Sequence, residues 1–343
     1  MPASASLIVV NYRSASLAVD AIRTARAASQ TDLQVIVVDN SVDIREAEAL
    51  RAHAEILITP DQNLGYGAAI NRARAKCDGE VLIVANADVR FGAGSIDRLV
   101  DSNADVAGPA LFWDDAFAWF LPPSDLHTGA DAFDAAIASR FARWRRSRDR
   151  QRIKRRLAFW SLTKPTPVPA ISGAIMAIRR SAFDRLGSFD ERFHLYFEEI
   201  DFQRRLHGGI LYVPDAHCRH VYNQSAAASE SAAAEYARSE MAYLTKWSGP
   251  RLARLIKSIE KPAIATSAEA LEGDIRIDRS GLVIEASPLP SFETAAGHFP
   301  NTTSVAIPDE VWRAYRSEVL YLRVIEAASA RVVRTYAKAR IRP

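Results

Sequence analysis

The chain has 343 residues, of which 48% are hydrophobic and 25% are charged. This composition predicts one large core or two moderate ones and excludes a disordered protein. The net charge is only +3, which excludes a uniformly acidic or basic surface. Cys77 and Cys218 are too few and too far apart for a zinc site or a disulfide framework, so we expect two reduced thiols.

The N-terminus and the hydropathy pattern predict a cytoplasmic location. Residues 1–10 lack a charged region followed by an apolar core of signal-peptide length. Nowhere do about eighteen apolar residues follow one another, the length at which a helix crosses a bilayer. An enzyme that exports a growing polymer through the membrane is disfavoured for the same reason.

Strand-like and helix-like segments alternate in the N-terminal part of the chain. Short β-branched runs occur at Leu7–Val10, Val35–Val38, Ile56–Ile58 and Val81–Val84, and helical patterns lie between them at Leu17–Ala28, Arg45–Ala52 and Ala68–Ala75. This alternation predicts parallel βαβ units in an α/β fold with helices on both faces of the sheet. Ligands of such sheets bind beyond the carboxyl ends of the strands.

Polar residues follow these predicted strands at the expected ligand edge. They are Asn11, Asp39, Asn63 with Gly65, and Asn86 with Asp88. The segment after the first strand lacks the Gly-x-Gly-x-x-Gly pattern of dinucleotide sites, which disfavours a nicotinamide-dependent oxidoreductase. Gly65 and Gly67 could bring backbone N–H groups close to a phosphate at a helix start, although an ordinary glycine turn is the commoner use of two glycines.

Residues 193–206, FHLYFEEIDFQRRL, place Glu198, Glu199 and Asp201 in an aromatic and apolar run. Burying an ionised group is costly unless it is paired, so this run is a candidate site. A carboxylate in the first turn of a helix is stabilised as the anion by the helix dipole, which suits a proton acceptor. The alternative is a surface helix start with ion pairs, in which Asp201 would pair with Arg204 or Arg205.

Motifs in six segments, taken together and in order, resemble family-2 glycosyltransferases with the GT-A fold, and among them the rhamnosyltransferase-like branch. The segments are VVNY (9–12), VVDNS (37–41), NLGYGAAINRA (63–73), NADV (86–89), SGAIMAIRRSAFDRLGSFDERF (172–193) and YFEEIDFQRRL (196–206). The resemblance covers about residues 6–247. It implies a Rossmann-like, mostly parallel central sheet with flanking helices and a nucleoside diphosphate sugar, dTDP- or UDP-linked, as donor.

The resemblance also implies which residues bind the nucleotide sugar. These are Asn11, Asp39, Asn63, Gly65, Asn71, Asn86 and Asp88. Asp39 would accept a hydrogen bond from the pyrimidine base, Asn63 and Gly65 would form the neighbouring wall, and Asn71 would fix that loop. The competing interpretations are a turn-forming aspartate at position 39 and a surface asparagine at position 71.

A divalent metal, Mg²⁺ or Mn²⁺, is the cofactor that the resemblance implies. Asp88 corresponds to the last acid of the Asp-x-Asp element, and a hard cation that bridges two phosphates needs an oxygen ligand there. Asn86 replaces the first acid, which weakens the case for metal dependence. His220 is expected to complete the coordination, with His217 as a nearby alternative and a structural histidine as the competing interpretation.

Glu199 occupies the position of the family's general base, which removes the proton from the attacking acceptor hydroxyl in an inverting transfer. Glu198 and Asp201 are the alternatives by register. Ser172, Gly173 and Glu198 are predicted at the acceptor, although Gly173 could equally mark a bulge entering a strand. Residues 223–225 are predicted to close over the phosphates.

The segment Arg140–Arg156 carries ten basic residues against one acid, Asp149. With its aromatic flanks it predicts a helix that rests on anionic lipid headgroups at the inner face of the cell membrane. A solvated charged helix is an equally good interpretation. Nucleic acid is disfavoured as a partner because no nucleic-acid-binding module is recognisable.

The predicted domains are a GT-A transferase at residues 1–250, with a basic and partly helical insertion at about 113–165, a linker at 251–262 and a β-rich accessory domain at 263–343. Short alternating runs after Pro262 favour a small antiparallel sheet or sandwich. This module could bind glycan, mediate self-association or brace the transferase.

The function predicted from the sequence is sugar transfer, with rhamnose favoured, to a glycan or polyprenyl-linked acceptor in cell-surface polysaccharide synthesis. The alternatives are a glycan- or nucleotide-binding protein without turnover and a nucleotidyltransferase.

Overall fold

Parallel strands with helices on both faces form the N-terminal part of the computed structural model, which describes residues 4–220, 230–262, 267–314 and 317–340. Its elements are β1 (Ala5–Asn11), α1 (Ala15–Ala27), β2 (Leu33–Asp39), α2 (Ile44–Arg51), β3 (Ile56–Ile58), α3 (Tyr66–Arg74), β4 (Val81–Asn86), β5 (Val89–Phe91), α4 (Ser95–Asp101) and β6 (Val106–Phe112). Strands β3, β2, β1 and β4 are parallel neighbours in that order. The predicted α/β fold is confirmed.

The middle of the chain completes this sheet and adds helices. Its elements are β7 (Trp119–Phe120), α5 (Gly129–Arg140), α6 (Ala142–Trp160), β8 (Thr166–Pro167), β9 (Ile175–Arg179), α7 (Arg180–Leu186), α8 (Glu198–Arg205), β10 (Ile210–His220), α9 (Glu230–Ser248) and α10 (Pro250–Ile259). Strand β9 is antiparallel to both β4 and β6, and β10 runs parallel to β6. The sheet is therefore mixed, with a parallel half that carries the predicted ligand edge.

Apolar residues alternate along the parallel strands and build one core on each face of the sheet. Leu7 and Val9 of β1 point to the face covered by α1 and α4, whereas Ile8 points to the face covered by α3 and α8. Complete burial of each such side chain contributes about 1.5–3 kcal/mol of transfer free energy. The second core fixes α8, and hence Glu198 and Glu199, against α3.

The C-terminal part is β-rich, as predicted. It contains β11 (Glu269–Ala270), β12 (Ile275–Arg276), β13 (Leu282–Ser287), β14 (Ala296–His298), β15 (Ser304–Val305), α11 (Asp309–Ala314), β16 (Val319–Glu326) and β17 (Arg331–Ala339). Strands β14, β13, β16 and β17 form an antiparallel run. Strand β7 pairs with both β14 and β6, which joins this run to the central sheet.

Helix α6, which contains most of the predicted basic segment Arg140–Arg156, packs against the C-terminal strands. Ile153, Leu157 and Trp160 share a core with Val283 and Ile325. One side of α6 is therefore covered by protein, and the prediction of a lipid-facing or solvated surface concerns its other side.

The segment predicted as a linker forms α10, a helix whose Ala253 and Ile256 pack with α5 and α9. The division of the chain into two domains at this point stays a prediction. In the described ranges no helix has both the length and the apolar composition needed to cross a membrane.

Candidate active site

The carboxyl ends of β1, β2 and β4 lie side by side, as the sequence predicts. Asn11 is directly opposite Asp39, and Asn86 pairs with Val10, the residue before Asn11. The Asn11 amide is fully buried, and its nitrogen donates to Asp39 Oδ1 at 2.9 Å and to Ser41 Oγ at 3.2 Å. Its oxygen accepts from the Ser14 hydroxyl at 2.9 Å. These bonds occupy the amide and position Asp39, while the predicted contact of Asn11 with a nucleotide stays a prediction.

The loop before α3 forms the neighbouring wall of this edge. Gly65 has a φ of +83°, and a Cβ there would lie 2.3 Å from the backbone oxygen of His194. Asn63 accepts a hydrogen bond from the Gly65 N–H at 2.9 Å, and Asn40 donates to the Gly65 oxygen at 3.1 Å. Glycine is required here both for the positive φ and for the close approach of the two backbones.

Asn71 does not hold this loop, contrary to the prediction. Its amide donates to the Phe189 oxygen and accepts from the Phe189 N–H, each at 2.9 Å. Asn71 thus ties α3 to the segment that leads into α8. The spacing along the chain gave no sign of this partner, which lies 118 residues away.

The two glutamates at the start of α8 follow a strained turn. Tyr196 and Phe197, the two residues before the helix, have φ values of +68° and +69°. Left-handed backbone at non-glycine residues costs on the order of 1–3 kcal/mol each and persists only where the surroundings enforce it. This turn aims the first helical residues, Glu198 and Glu199, back toward the sheet edge.

Glu198 and Glu199 each have a buried carboxylate oxygen, Oε2, that has no hydrogen-bond partner among the described residues. Burial raises the pKa of Glu199. The pKa of Glu198 is raised well above its usual range, by burial first and then by the charge of Glu199. The cost of burying them without partners marks the pair as a candidate for acid–base chemistry.

Tyr66 and Gly173 lie close to the two glutamates. The Tyr66 hydroxyl donates to the Gly173 oxygen at 3.2 Å. Burial raises the pKa of Tyr66, and the charges of Glu198, Glu199 and Asp88 add to this effect. Tyr66 therefore lies among all three acids of the candidate site.

Sequence reasoning missed Tyr66 as a site residue. Its position between Gly65 and Gly67, in the motif NLGYG, was the available signal.

Gly173 is pressed against the predicted base. A Cβ at position 173 would lie 2.6 Å from Cγ of Glu199. The preceding Ile171 is clamped at both backbone groups by Gln203 of α8, at 2.7 Å and 3.0 Å. Ser172 accepts a hydrogen bond from the Ala174 N–H at 3.2 Å. The turn predicted at the acceptor is thus packed directly on α8, and glycine at position 173 makes room for Glu199.

Asp201, an alternative to Glu199 by register, is paired with two cations. It is buried and pairs with Arg205 at 3.2 Å and with Lys246 at 2.5 Å. The Trp247 indole also donates to it at 2.9 Å. The predicted pairing with Arg205 is present, and Asp201 is a structural carboxylate that holds α8 to α9.

Asp88 and His220 lie together beyond β4. The His220 Nε2 atom is 3.4 Å from Asp88 Oδ1, and the antiparallel pairing of β5 with β10 sets His220 beside Val89. Across residues 4–220, 230–262, 267–314 and 317–340, no group of three His, Cys, Asp or Glu side chains is arranged to hold a metal. His217 instead packs against the rings of Phe112 and Phe117, which also contact each other. Residues 223–225, predicted to close over the phosphates, lie outside the described residues.

The candidate site thus combines Asp39 and Asp88 at the ends of parallel strands with Glu198 and Glu199 at the start of α8. Residues 6–116 match the family described as Glycosyl transferase family 2. Two relatives from Mycobacterium tuberculosis, strains CDC 1551 / Oshkosh and ATCC 25618 / H37Rv, are 32% identical over 218 residues. Both are described as N-acetylglucosaminyl-diphospho-decaprenol L-rhamnosyltransferase, and the match covers 56% of this chain and 68% of the relative.

Among solved structures, the mannosyltransferase PcManGT from Pyrobaculum calidifontis, in complex with GDP-Man and Mn²⁺, is 14% identical with a TM-score of 0.47 over 75% of each chain. GalNAc-T7 with UDP, GalNAc and Mn²⁺ is 14% identical with a TM-score of 0.43, over 64% of this chain and 44% of its own. The chain belongs to glycosyl transferase family 2. The predicted family, its rhamnosyltransferase-like branch and the glycosyltransferase activity are confirmed.

Proposed function

We propose that the protein transfers rhamnose from a dTDP- or UDP-linked donor to a polyprenyl-diphosphate-linked glycan, with inversion, during cell-surface polysaccharide synthesis. The observation that carries the mechanism is the buried Oε2 atom of Glu199, which has no hydrogen-bond partner among the described residues and belongs to a side chain packed against Gly173 and near Tyr66. The sugar and the lipid-linked acceptor rest on the Mycobacterium tuberculosis relatives, whose description names both.

Glu199 is proposed as the general base. The acceptor hydroxyl loses its proton to Glu199 while its oxygen forms a bond to the anomeric carbon, and the bond from that carbon to the diphosphate oxygen breaks. The electron pair leaves with the nucleoside diphosphate on the opposite face of the sugar. A base whose pKa is raised toward the working pH is a stronger proton acceptor than an ordinary carboxylate.

We propose that only one of the two adjacent glutamates is ionised at a time. Glu198 is the more deeply buried residue, and the charge of Glu199 further raises its pKa. Because two carboxylates in one desolvated site resist double ionisation, the proton stays preferentially on Glu198. Glu199 is then the ionised member, and the protonated Glu198 is available to donate a hydrogen bond to the acceptor.

Asp88 and His220 would hold the divalent cation, Mg²⁺ or Mn²⁺. Their oxygen and nitrogen donors suit Mn²⁺ or a partly hydrated Mg²⁺, although two side chains leave most of the coordination to phosphate and water. When bound, the cation neutralises the charge of the departing diphosphate. Asn86, at the end of β4, would bond to the ribose or to a water of the cation. Oδ1 of Asp39 accepts hydrogen bonds from Asn11 and Ser41, which leaves Oδ2 to accept one from the pyrimidine base of the donor nucleotide.

We also propose a peripheral position on the cytoplasmic face of the membrane. A polyprenyl-linked acceptor places the reacting hydroxyl near the bilayer surface. The exposed basic residues of α6, namely Arg143, Arg146, Arg150, Lys154 and Arg155, remain available to anionic lipid.

The test is release of nucleoside diphosphate by the full chain. Donors are dTDP-rhamnose and a panel of UDP-sugars, each with and without Mn²⁺, and the acceptor is N-acetylglucosaminyl-diphospho-polyprenol. We expect release from dTDP-rhamnose only when both acceptor and metal are present. Binding of donor without any release would instead indicate a binding protein, and pyrophosphate produced from a nucleoside triphosphate would indicate a nucleotidyltransferase.

A further inference from the structure

A cavity of about 950 Å³ lies between α6, the end of α10 and the C-terminal strands. None of the residues assigned to sugar transfer lines it. Nine cationic side chains and three carboxylates form its wall. Its volume is in the range of small-ligand sites, so it suits a compact anion and is too small for a folded nucleic acid.

The carboxylates of the wall are already neutralised by their own neighbours. Asp149 pairs with Arg323 at 2.9 Å, Glu260 pairs with Lys257 at 2.7 Å, and Glu293 lies 3.9 Å from Arg152. They therefore do little to balance the remaining cations.

Four cations of the wall, Arg145, Arg146, Arg150 and Lys261, have no acidic partner within 4.0 Å in the part of the chain that the structure describes. Arg152 adds a buried Nε atom that has no acceptor among these residues. Burial, and then the neighbouring charge of Arg156, lower the pKa of Arg152. The four cations without acidic partners leave this wall with positive charge that its own carboxylates do not balance. An anion bound here would remove that imbalance.

Two exposed aromatic residues lie at the start of α6, where the Phe141 oxygen accepts a hydrogen bond from the N–H of Arg145 in the cavity wall. Phe141 is 59% exposed and Trp144 is 51% exposed. The Trp144 indole donates to Asp134, which also pairs with Arg148 of the cavity wall. Exposed aromatic rings next to clustered arginines are typical of surfaces that enter the boundary between lipid headgroups and acyl chains.

We propose that this cavity binds the phosphate-bearing headgroup of an anionic lipid, with Phe141 and Trp144 inserted beside it. The site is separate from the sugar-transfer centre and differs from a general electrostatic attraction, because it assigns binding to the arginines of one cavity. Arg146 and Arg150 lie at its solvent side, whereas Arg143 and Lys154 are equally exposed on the same helix but do not line it.

The experiment measures sedimentation of the full chain with phosphatidylcholine vesicles, with and without phosphatidic acid, at physiological ionic strength. The cavity variant is Arg146→Glu with Arg150→Glu, and the matched control is Arg143→Glu with Lys154→Glu. Both reverse two exposed charges on α6. We expect the cavity variant to lose on the order of tenfold or more of its vesicle partitioning, and the control to lose clearly less. Circular dichroism and donor binding should be the same in both.

Equal loss in the two variants would overturn the proposal, since it would show that the surface charge of α6 acts without a defined site. Absence of vesicle binding together with a rise in melting temperature on adding inorganic pyrophosphate would also overturn it, in favour of a soluble phosphate ligand. Single-stranded RNA that binds the wild type and not the cavity variant would reassign the site to nucleic acid. These readouts do not depend on which sugar the enzyme transfers.

Discussion

Two clusters of buried acids have opposite surroundings in this molecule. At the start of α8, Glu198 and Glu199 have buried oxygens without partners. Between α6 and β16, the buried Glu285 receives Arg156 at 3.1 Å and Arg323 at 2.7 Å. Arg323 also donates through both of its terminal nitrogens to the carboxylate of Asp149.

The difference shows what each cluster is suited to do. Paired charges in a low-dielectric interior are satisfied only as long as every member is present, so the Glu285 cluster serves to fix α6 on the C-terminal strands. The unpartnered glutamates contribute desolvated, reactive oxygens and are held in place by a strained turn and by close packing on Gly173. The Glu285 cluster stabilises the fold, whereas burying the oxygens of Glu198 and Glu199 lowers stability and makes them reactive.

The sharpest test of this contrast is Glu199→Gln. We expect transfer to fall by about 10²–10⁴-fold, because the amide cannot accept the acceptor proton. Donor affinity should stay close to that of the wild type. The measurements are the rate of nucleoside diphosphate release and the donor Kd by calorimetry. A variant that kept wild-type turnover would place the base elsewhere.

The complementary change is Glu285→Leu, which leaves Arg156 and Arg323 buried without their shared partner. We expect the free energy of unfolding to fall by about 3–5 kcal/mol, as measured by urea denaturation. Turnover per folded molecule should be unchanged. Adding Arg156→Met should restore part of the lost stability, since it removes one of the unpaired charges. Loss of turnover at unchanged stability would contradict the structural role.

Gly173→Ala tests whether packing positions the base. The new Cβ would lie 2.6 Å from Cγ of Glu199, so the carboxylate has to move. We expect kcat to fall by roughly 10²-fold, the scale of an ångström displacement in an active site. Gly67→Ala is the matched control, because its Cβ would meet Phe189 at 3.1 Å and Glu198 at 3.3 Å, both milder contacts. An equal effect of both changes would indicate general disruption of the site.

The smallest expected effect is the pH dependence of sugar transfer and of stability, which should reflect the raised pKa of Glu199. Because burial raises the pKa of Glu199, transfer should decline on acidification through that raised pKa, where the base becomes protonated.

Stability should have the opposite trend. The folded state keeps a proton that the unfolded chain releases near the ordinary value of 4.5, so this group's contribution is complete below that value and is lost as pH rises toward the folded pKa. The difference in unfolding free energy between wild type and Glu199→Gln should therefore fall with rising pH, with a limiting slope of about 1.4 kcal/mol per pH unit. A pH-independent difference would contradict the raised pKa.

Local patterns in the sequence were sufficient to predict the sheet and much of its ligand edge. Residues such as Asp39 and Asp88 follow β-branched runs, and parallel strands bring their carboxyl ends to one side by geometry alone. The roles of Asn11 and Asn71 could not be predicted in this way, because their amides bind partners that are distant in the chain. Tyr66 was overlooked for the same reason, since its neighbours come from three separate segments.

The sequence by itself determined the alternation of strands and helices, the polar strand ends and the presence of three acids in an aromatic run. Only the tertiary structure decided which of those acids has a cationic partner: Lys246, which lies on another helix, pairs with Asp201, whereas Oε2 of Glu199 has no partner among the described residues. It also decided that the arginine-rich helix is covered on one side by C-terminal strands. Spacing along the chain sets periodicity and local turns, whereas the pairing of buried charges depends on the topology that brings distant segments together.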